Sequence, residues 1–256
     1  MNARTAKVAR LVDFLCDGVE SIPGEEELDR ELGDWLGASR RFLAFAEFHA
    51  TKIRKKLRTA TEPGPRGDVL AELETAFLLL GDRRFDLAFE AYGSGRKGPD
   101  FTVTFRSTHR FNLEVTRPRA GTGEGAIAGP LLGKLRQLPV DASNAILLAG
   151  GLARSAGEVE SMVRALKLRA DRGDEEFFAA RRLSAKEFQD MHRRMALLMV
   201  GRSEGDGVHV WKNPEARRPL PDGAANACIA ALSGARRADG PAPATAPPSP
   251  FPPTPS

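Results

Sequence analysis

The amino-acid sequence predicts an α/β fold, with a core in the order helix, three strands, helix and strand (αβββαβ) around a mixed β-sheet. Apolar residues recur at spacings of three and four before residue 60, which is typical of amphipathic helices. From residue 85 the spacing changes to two over three short runs, which is typical of half-buried strands. After residue 234 the chain consists mainly of Pro, Ala and Ser, a composition that lacks the apolar surface to offset the entropy of ordering. We therefore predict a folded core, helical extensions on both sides of it, and a disordered Pro-rich tail.

These changes of pattern divide the chain into four regions. A chain of 256 residues is long enough for one core domain with appendages. The stretch 61–67, which contains Pro63 and Pro65, is rich in residues that interrupt secondary structure and separates the first region from the second. The four regions are an N-terminal helical region at 1–62, the α/β core at 63–151, a mostly helical extension packed on the core at 152–234, and the tail at 235–256.

The N-terminal region predicts a short helix over 4–18 that ends at Gly18. The next segment, 25–59, predicts one long helix or two helices with Gly37 as the break. Its second half belongs to a basic stretch over 38–66, in which Lys and Arg far outnumber Glu. Four residues of this stretch are candidate contacts to a nucleic-acid backbone, and the alternative is a solvated helix face. They are Lys52, Lys55, Lys56 and Arg58.

The core is predicted to begin with a helix over 68–80, for which Asp68 is the N-cap and Gly81 the end. It continues with strands at 85–89, 101–105 and 111–115, a helix at 127–138 and a buried strand at 145–149. Beyond the core, helices are predicted at 156–169 and 185–200, and a strand at 207–211. Ser184 is the predicted N-cap of the helix at 185–200, with Glu187 three residues later.

Composition argues against several classes of protein. The net charge of +4 is too small to indicate nucleic-acid binding by itself. Cys16 and Cys228 lie far apart and have no neighbours at metal-ligand spacing, so we expect neither a disulfide framework nor a zinc site. No window reaches the roughly 18 apolar residues of a membrane span, and the apolar run near the N-terminus is broken by Asp13. We therefore expect a cytoplasmic protein without a membrane partner, and a homo-oligomer is left open.

Two acidic residues of the core are predicted to share one polar face of the strand pair. Asp100 precedes the second strand, and Glu114 lies within the third. If Arg106 pairs with Arg110 across a three-residue turn, Asp100 lies opposite Thr116 and diagonal to Glu114, about 7 to 8 Å away between Cα atoms. Two such carboxylates can share a hard divalent cation, which activates water and stabilises charge on a phosphoryl oxygen. Taken singly, Asp100 is explained as a turn residue and Glu114 as a solvent-facing strand residue.

A family resemblance lies in the segments Gly98-Pro99-Asp100 and Phe111-Asn112-Leu113-Glu114-Val115-Thr116-Arg117, which a helix and a strand follow. Over residues 68–151 this arrangement resembles the PD-(D/E)XK, or restriction-endonuclease-like, superfamily. The resemblance implies that Asp100 and Glu114 bind Mg²⁺ or Mn²⁺. It also implies a further carboxylate from the preceding helix, for which Glu72 is our candidate and Glu74 the alternative.

The sequence departs from the superfamily at Thr116, where the motif has a lysine that orients or activates the attacking water. A hydroxyl can hydrogen-bond to that water but cannot supply an ammonium charge. The candidates for a cation that has moved elsewhere in the chain are Lys97, Arg117 and Lys134. We favour Lys134, on the following helix, because Arg117 projects to the opposite face of the strand from Glu114.

The resemblance implies a Mg²⁺-dependent nuclease that hydrolyses phosphodiester bonds of DNA, with RNA as the less favoured substrate. Its catalytic residues would be Asp100, Glu114, Thr116 and Lys134. Two other hypotheses stay open. One is a nuclease-fold protein that binds nucleic acid or regulates without catalysis, which the missing lysine allows. The other is a helical interaction protein in which the α/β core is only a scaffold.

Overall fold

The structure is a computed structural model that describes residues 3–22, 27–90, 98–118, 124–150, 156–201 and 207–234. Within these ranges the chain is an α/β protein with N-terminal helices, a six-stranded mixed sheet and a C-terminal helix. The tail predicted at 235–256 lies outside the described residues. In the described part of the chain, no helix is both long and apolar enough to cross a membrane.

The N-terminal region contains four helices: α1 (Ala3–Cys16), α2 (Leu28–Ala38), α3 (Arg40–Phe48) and α4 (Ala50–Thr59). The helix predicted to end near Gly18 is confirmed. The prediction of one or two helices over 25–59 is wrong, because the chain breaks at Ser39 and again at His49 rather than at Gly37. Ser39 has extended backbone, and its hydroxyl accepts a hydrogen bond from the backbone N–H of Phe42 at 3.1 Å, so it caps α3.

The core consists of α5 (Pro63–Gly81), β1 (Phe85–Phe89), β2 (Phe101–Phe105), β3 (His109–Thr116), α6 (Glu124–Leu135) and β4 (Ser143–Leu148). The predicted order of helix, three strands, helix and strand is confirmed. Asp68 is not the N-cap of α5, because the helix begins at Pro63. Proline is tolerated there, since N–H groups in the first helical turn have no partner within the helix.

The C-terminal region contains α7 (Ala156–Asp171), α8 (Glu175–Ala179), α9 (Ala185–His192), β5 (Met195–Gly201), β6 (Val208–Lys212) and α10 (Asp222–Leu232). The capping box of Ser184 and Glu187 is confirmed at the start of α9. The helix predicted over 185–200 is wrong in its second half, because residues 195–201 form a strand. This strand is buried along nearly its whole length, and a short continuous apolar run does not distinguish a strand from a buried helix.

The six strands follow one another across the sheet in the order β1-β2-β3-β4-β5-β6. The pairs β1–β2, β2–β3 and β5–β6 are antiparallel, whereas β3–β4 and β4–β5 are parallel. One face of the sheet packs against the N-terminal helices, α5 and α10. The other face packs against α6, α7, α8 and α9. The sheet is therefore buried between two layers of helices, and β5 and β6 continue the sheet of the core.

The turn between β2 and β3 determines how the two acidic residues face each other. It has the predicted length of three residues but begins one residue earlier, with Phe105 paired to His109. Arg106 and Ser107 adopt positive φ values of 50° and 58°, which close this turn. The predicted pairing of Arg106 with Arg110 is therefore wrong by one residue on each strand. Together the two changes shift the register by two residues. An even shift keeps every side chain on its predicted face, and this one places Asp100 directly opposite Glu114.

Candidate active site

The carboxylates of Asp100 and Glu114 converge on the ammonium group of Lys134. Lys134 Nζ donates hydrogen bonds to Asp100 Oδ2 at 2.9 Å and to Glu114 Oε2 at 2.7 Å. Asp100 lies just before β2, Glu114 lies within β3, and Lys134 lies in the last turn of α6. Three residues singled out in the sequence are thus brought together from three different elements.

Backbone hydrogen bonds hold Asp100 in position. Its Oδ2 accepts from the backbone N–H of Val115 at 2.7 Å. Its carbonyl oxygen accepts from the backbone N–H of Glu90, just beyond β1, at 2.8 Å. Asp100 therefore connects the ends of β1 and β2 to β3, and its side chain has little freedom to leave the site.

Glu114 is fully buried, with a side-chain exposure of 0%, so it is not a solvent-facing strand residue. Its Oε2 contacts Lys134, but its Oε1 has no hydrogen-bond partner among the described residues. Burial and the nearby charge of Asp100 raise the pKa of Glu114 to about 8, against the opposing effect of Lys134. Below this pKa the carboxyl holds a proton that it can share with Asp100, and a divalent cation would have to displace that proton in order to bind.

Lys134 retains its proton at neutral pH. Burial by itself lowers the pKa of a lysine, but the charges of Asp100 and Glu114 outweigh burial and hold the pKa of Lys134 above its usual value. The ammonium group is largely enclosed, since the side chain is only 15% exposed. The site therefore contains a fixed positive charge beside two carboxylates.

Glu72, on α5, extends this cluster. Its Oε2 accepts a hydrogen bond from Lys56 Nζ, and its side chain is largely buried. Burial and the charge of Asp100 raise the pKa of Glu72 to about 7, whereas Lys56 and Lys134 lower it. Asp100 and Lys134 are thus close enough to Glu72 to change its pKa.

Glu74, the alternative to Glu72, is an exposed residue of α5. Partial loss of hydration around its carboxylate and the charge of Glu31 raise the pKa of Glu74, and Arg117 lowers it. None of these influences comes from Asp100 or Glu114. Of the two glutamates, Glu72 is the one that the fold brings to the acidic cluster.

The four basic residues predicted to contact nucleic acid divide into two pairs on α4. Lys52 and Lys56 both contact the carboxylate of Glu90, so they lie at the edge of the acidic cluster. Lys55 and Arg58 are exposed instead. A solvated helix face therefore describes Lys55 and Arg58 but not Lys52 and Lys56.

The remaining candidates for the motif cation lie elsewhere. Thr116 is a half-buried residue at the end of β3, where it pairs with Leu148 of β4. The side chain of Arg117 lies against Gly67 of α5, where a Cβ atom would come within 1.4 Å of the guanidinium group. Lys97 lies outside the described residues. Among the described candidates, only Lys134 contacts both carboxylates.

Glu90 is a member of the cluster that the sequence analysis did not identify. It follows β1 and donates its backbone N–H to Asp100, so Glu90, Asp100 and Glu114 lie in a row across three neighbouring strands. The only sequence signal was an acidic residue at the end of an alternating run. That signal was too weak to use, because the pairing with Asp100 depends on the register of the sheet.

The chemistry of these side chains fits a hard divalent cation. Carboxylate oxygens are the ligands that Mg²⁺ and Mn²⁺ prefer, and Mg²⁺ commonly takes only one or two carboxylates and completes its coordination with water and phosphate. Asp100 and the unpaired Oε1 of Glu114 supply such oxygens. Among the described residues, no three or more His, Cys, Asp and Glu side chains form a group that could hold a metal ion. A cation here would therefore depend on a pair of carboxylates, supplemented by water or substrate.

Comparisons of the chain with protein-family models, with curated proteins and with solved structures find no match. The function of this chain must therefore be inferred from the chemistry of the site itself.

Proposed function

We propose that this chain is a divalent-metal-dependent nuclease with the restriction-endonuclease-like PD-(D/E)XK architecture, which hydrolyses phosphodiester bonds of DNA. The observation that carries the proposal is the convergence of Asp100 and Glu114 on Lys134, with Glu114 Oε1 buried and unpaired. The order α5-β1-β2-β3-α6-β4 and the mixed sheet are what this architecture requires, and they support the proposal. A cytoplasmic location, in contact with nucleic acid, is part of the same proposal.

Asp100 and Glu114 are the residues that would hold Mg²⁺ or Mn²⁺, and Glu72, whose carboxylate is bound by Lys56, would add negative charge nearby rather than a third ligand. The bound cation would lower the pKa of a coordinated water and stabilise negative charge on the phosphoryl group. The chain contributes by holding these carboxylates in place. Asp100 is held through Val115, and Glu114 through its position within β3.

Lys134 would take the role of the motif lysine that Thr116 replaces. Its ammonium group is protonated, enclosed and directed by two carboxylates. In that position Nζ can orient a water molecule or donate a hydrogen bond to a phosphoryl oxygen as negative charge develops. Thr116 can add only a neutral hydrogen bond to the same water.

A second candidate function is a nuclease-fold protein that binds nucleic acid without cleaving it. The observation that favours it is that Lys134 Nζ lies within hydrogen-bond distance of both carboxylates, where it competes with a cation for them. With Glu114 protonated, as its raised pKa favours, the single ammonium charge balances the carboxylate of Asp100 and the pair needs no metal. The two functions differ in whether a divalent cation binds and whether DNA is cleaved.

The test is incubation of the purified protein with supercoiled plasmid, linear DNA and RNA, in Mg²⁺, in Mn²⁺ and in a chelator. We expect metal-dependent nicking of DNA. The variants Asp100→Asn, Glu114→Gln and Lys134→Met should each lower it by about 100-fold or more, as expected for loss of a group that acts in the transition state. Asp86→Asn is the matched control, because Asp86 is an exposed carboxylate of β1 that pairs with Arg41.

A measurement without turnover separates the two candidate functions. If the metal binds the folded state, Mn²⁺ should raise the melting temperature of the wild type and not that of Glu114→Gln. A wild-type melting temperature that Mn²⁺ does not change, together with nicking no greater than that of the Asp100, Glu114 and Lys134 variants, would contradict the nuclease and support the non-catalytic function.

A further inference from the structure

The carboxylate of Glu90 lies between two lysines of α4. Glu90 Oε1 is 2.9 Å from Lys56 Nζ, and Oε2 is 3.3 Å from Lys52 Nζ. The two lysines are four residues apart, so they share one face of the helix. Each ammonium group also lies over the ring of Phe89, at 5.4 Å for Lys52 and 5.0 Å for Lys56. One acidic side chain therefore bridges two cations that each have a further acceptor, the carbonyl oxygen of Phe89 for Lys52 at 3.2 Å and the carboxylate of Glu72 for Lys56.

The backbone of Glu90 adopts an unusual conformation in this arrangement. Its φ is +44°, in the left-handed region that residues with a Cβ atom rarely adopt. Its backbone N–H still donates to the carbonyl oxygen of Asp100 at 2.8 Å. Glu90 thus stays attached to the end of the sheet beside Asp100 while its carboxylate contacts α4.

This ion pair is open to solvent, unlike the pairs around Lys134. The side chains of Glu90 and Lys52 are each 38% exposed, whereas Glu114 is 0% exposed. Exposed ion pairs contribute little to stability, because water screens the charges. The contact with Lys52 can therefore be exchanged for another anion at small free-energy cost, whereas the contact with Lys56, whose side chain is only 22% exposed, costs more to exchange.

We propose that Lys52 and Lys56 form a subsite for one phosphate of the DNA backbone, and that Glu90 occupies this subsite until DNA displaces its carboxylate. A carboxylate carries one negative charge on two oxygens, and a phosphodiester likewise carries one negative charge on two non-bridging oxygens. Each lysine can therefore exchange one carboxylate oxygen for one phosphate oxygen and keep one anionic partner. The identity of the ligand as DNA rests on the proposed function.

The position of the subsite fits this use. Lys56 Nζ contacts both Glu90 and Glu72, and the charge of Asp100 acts on Glu72. A phosphate held by Lys52 and Lys56 would lie beside the acidic cluster and hold the strand next to Asp100 and Glu114. Lys52 and Lys56 are then positioning residues that contact the substrate away from the reacting atoms.

The test measures binding of a short fluorescein-labelled DNA duplex by fluorescence anisotropy, in a chelator and over a series of salt concentrations. Glu90→Gln removes the competing charge and should tighten binding by about five-fold, the effect of one charge interaction at contact distance in water. Glu90→Ala should give the same gain. Asp86→Asn, which removes one exposed carboxylate from β1 four residues before Glu90, should leave binding unchanged.

The lysines are tested in the same assay. Lys52→Gln should weaken binding and lower the salt dependence by about one counterion, as expected for the loss of one phosphate contact. Lys7→Gln is the control, because Lys7 is an exposed lysine that pairs with Glu47 on another helix. In the Lys52→Gln background, Glu90→Gln should lose most of its gain, because the two residues act on the same site.

Equal affinities for the wild type, Glu90→Gln and Glu90→Ala would overturn this inference, and so would a gain of the same size in Asp86→Asn. Complete absence of DNA binding would overturn it as well. Because the assay contains no metal, its outcome is independent of cleavage. Tighter DNA binding by Glu90→Gln without any nicking would support the phosphate subsite and contradict the nuclease activity. Nicking with equal affinities for the wild type and the Glu90 variants would support the nuclease activity and contradict the subsite.

Discussion

Asn112 and Glu114 are two buried polar residues on the same face of β3, separated by one position. The hydrogen-bonding groups of the Asn112 side chain have partners on both sides. Its Oδ1 accepts from Thr102 Oγ1 at 3.3 Å, and its Nδ2 donates to Asn144 Oδ1 at 3.1 Å. Asn144 Nδ2 in turn donates to backbone carbonyls, among them that of Arg194 at 2.9 Å. This row of amides is a closed network that joins β2, β3 and β4.

Glu114 has no such closed network. One of its oxygens contacts Lys134 and the other has no partner among the described residues. Because folding normally pairs buried polar atoms, an unpaired carboxylate oxygen is more informative about ligand binding than burial alone. The comparison indicates that Asn112 stabilises the sheet, whereas Glu114 is available to a ligand.

The largest expected effect on stability is that of Lys134→Met. Removing the ammonium group leaves Asp100 and Glu114 buried together without compensation, and breaking a buried pair in this way costs about 3 to 5 kcal/mol. Urea denaturation in a chelator measures the loss, and Mg²⁺ should restore part of it. Lys167→Met, which breaks an exposed pair with Asp171, is the control and should cost less than about 1 kcal/mol. A similar small loss for both variants would contradict the role given to Lys134.

A smaller loss is expected for Asn112→Val. The substitution removes two hydrogen bonds and leaves the Oδ1 of Asn144 buried without this donor, which costs about 1 to 3 kcal/mol. Urea denaturation measures this loss too. The folded variant should retain the metal-induced rise in melting temperature of the wild type. If that rise disappears in Asn112→Val, the distinction between the two residues of β3 fails.

Glu114 should also make the stability of the metal-free protein depend on pH. Its pKa is about 8 when folded, above the ordinary 4.5, so the folded state keeps a proton that the unfolded state releases between these values. The free energy of unfolding should therefore fall as pH rises from 4.5 towards 8, by at most about 1.4 kcal/mol per pH unit for one group.

Glu114→Gln should flatten that slope, whereas Asn112→Val should leave it unchanged, because an amide does not titrate. Mg²⁺ should flatten it too, since the cation binds the ionised carboxylate. Urea denaturation at several pH values gives the slope. Identical slopes in the wild type and Glu114→Gln would show that the pH dependence arises from other groups.

The smallest effect is expected for Glu74→Gln. Glu74 is exposed, and substitutions of this kind usually change the free energy of unfolding by less than about 0.5 kcal/mol. It should also leave the metal-induced rise in melting temperature unchanged. Glu72→Gln is the variant to compare with it, because loss of the Glu72 carboxylate should reduce the metal-induced rise in melting temperature. The reverse result would assign the additional carboxylate to Glu74.

Several features of the fold could be predicted because they depend on local physical chemistry. β1, β2 and the capping box of Ser184 are encoded in short runs of residues, and they appear at the predicted positions. The predictions that are wrong concern choices that local pattern does not decide. The run at 195–201 is apolar enough for a buried helix or a buried strand, and only its pairing with β4 and β6 makes it a strand.

For the site, the alternation of side chains along each strand was enough to predict that Asp100 and Glu114 share one face, because this alternation holds whatever surrounds the strand. It did not determine the register, which depends on where the turn closes between Phe105 and His109. Tertiary structure alone decided that Lys134 reaches both carboxylates, that Glu72 rather than Glu74 joins the cluster, and that Glu90 contacts Lys52 and Lys56. These contacts join residues far apart in the chain, so they form only when α4, α5 and α6 pack against the sheet and exclude water from the charges between them.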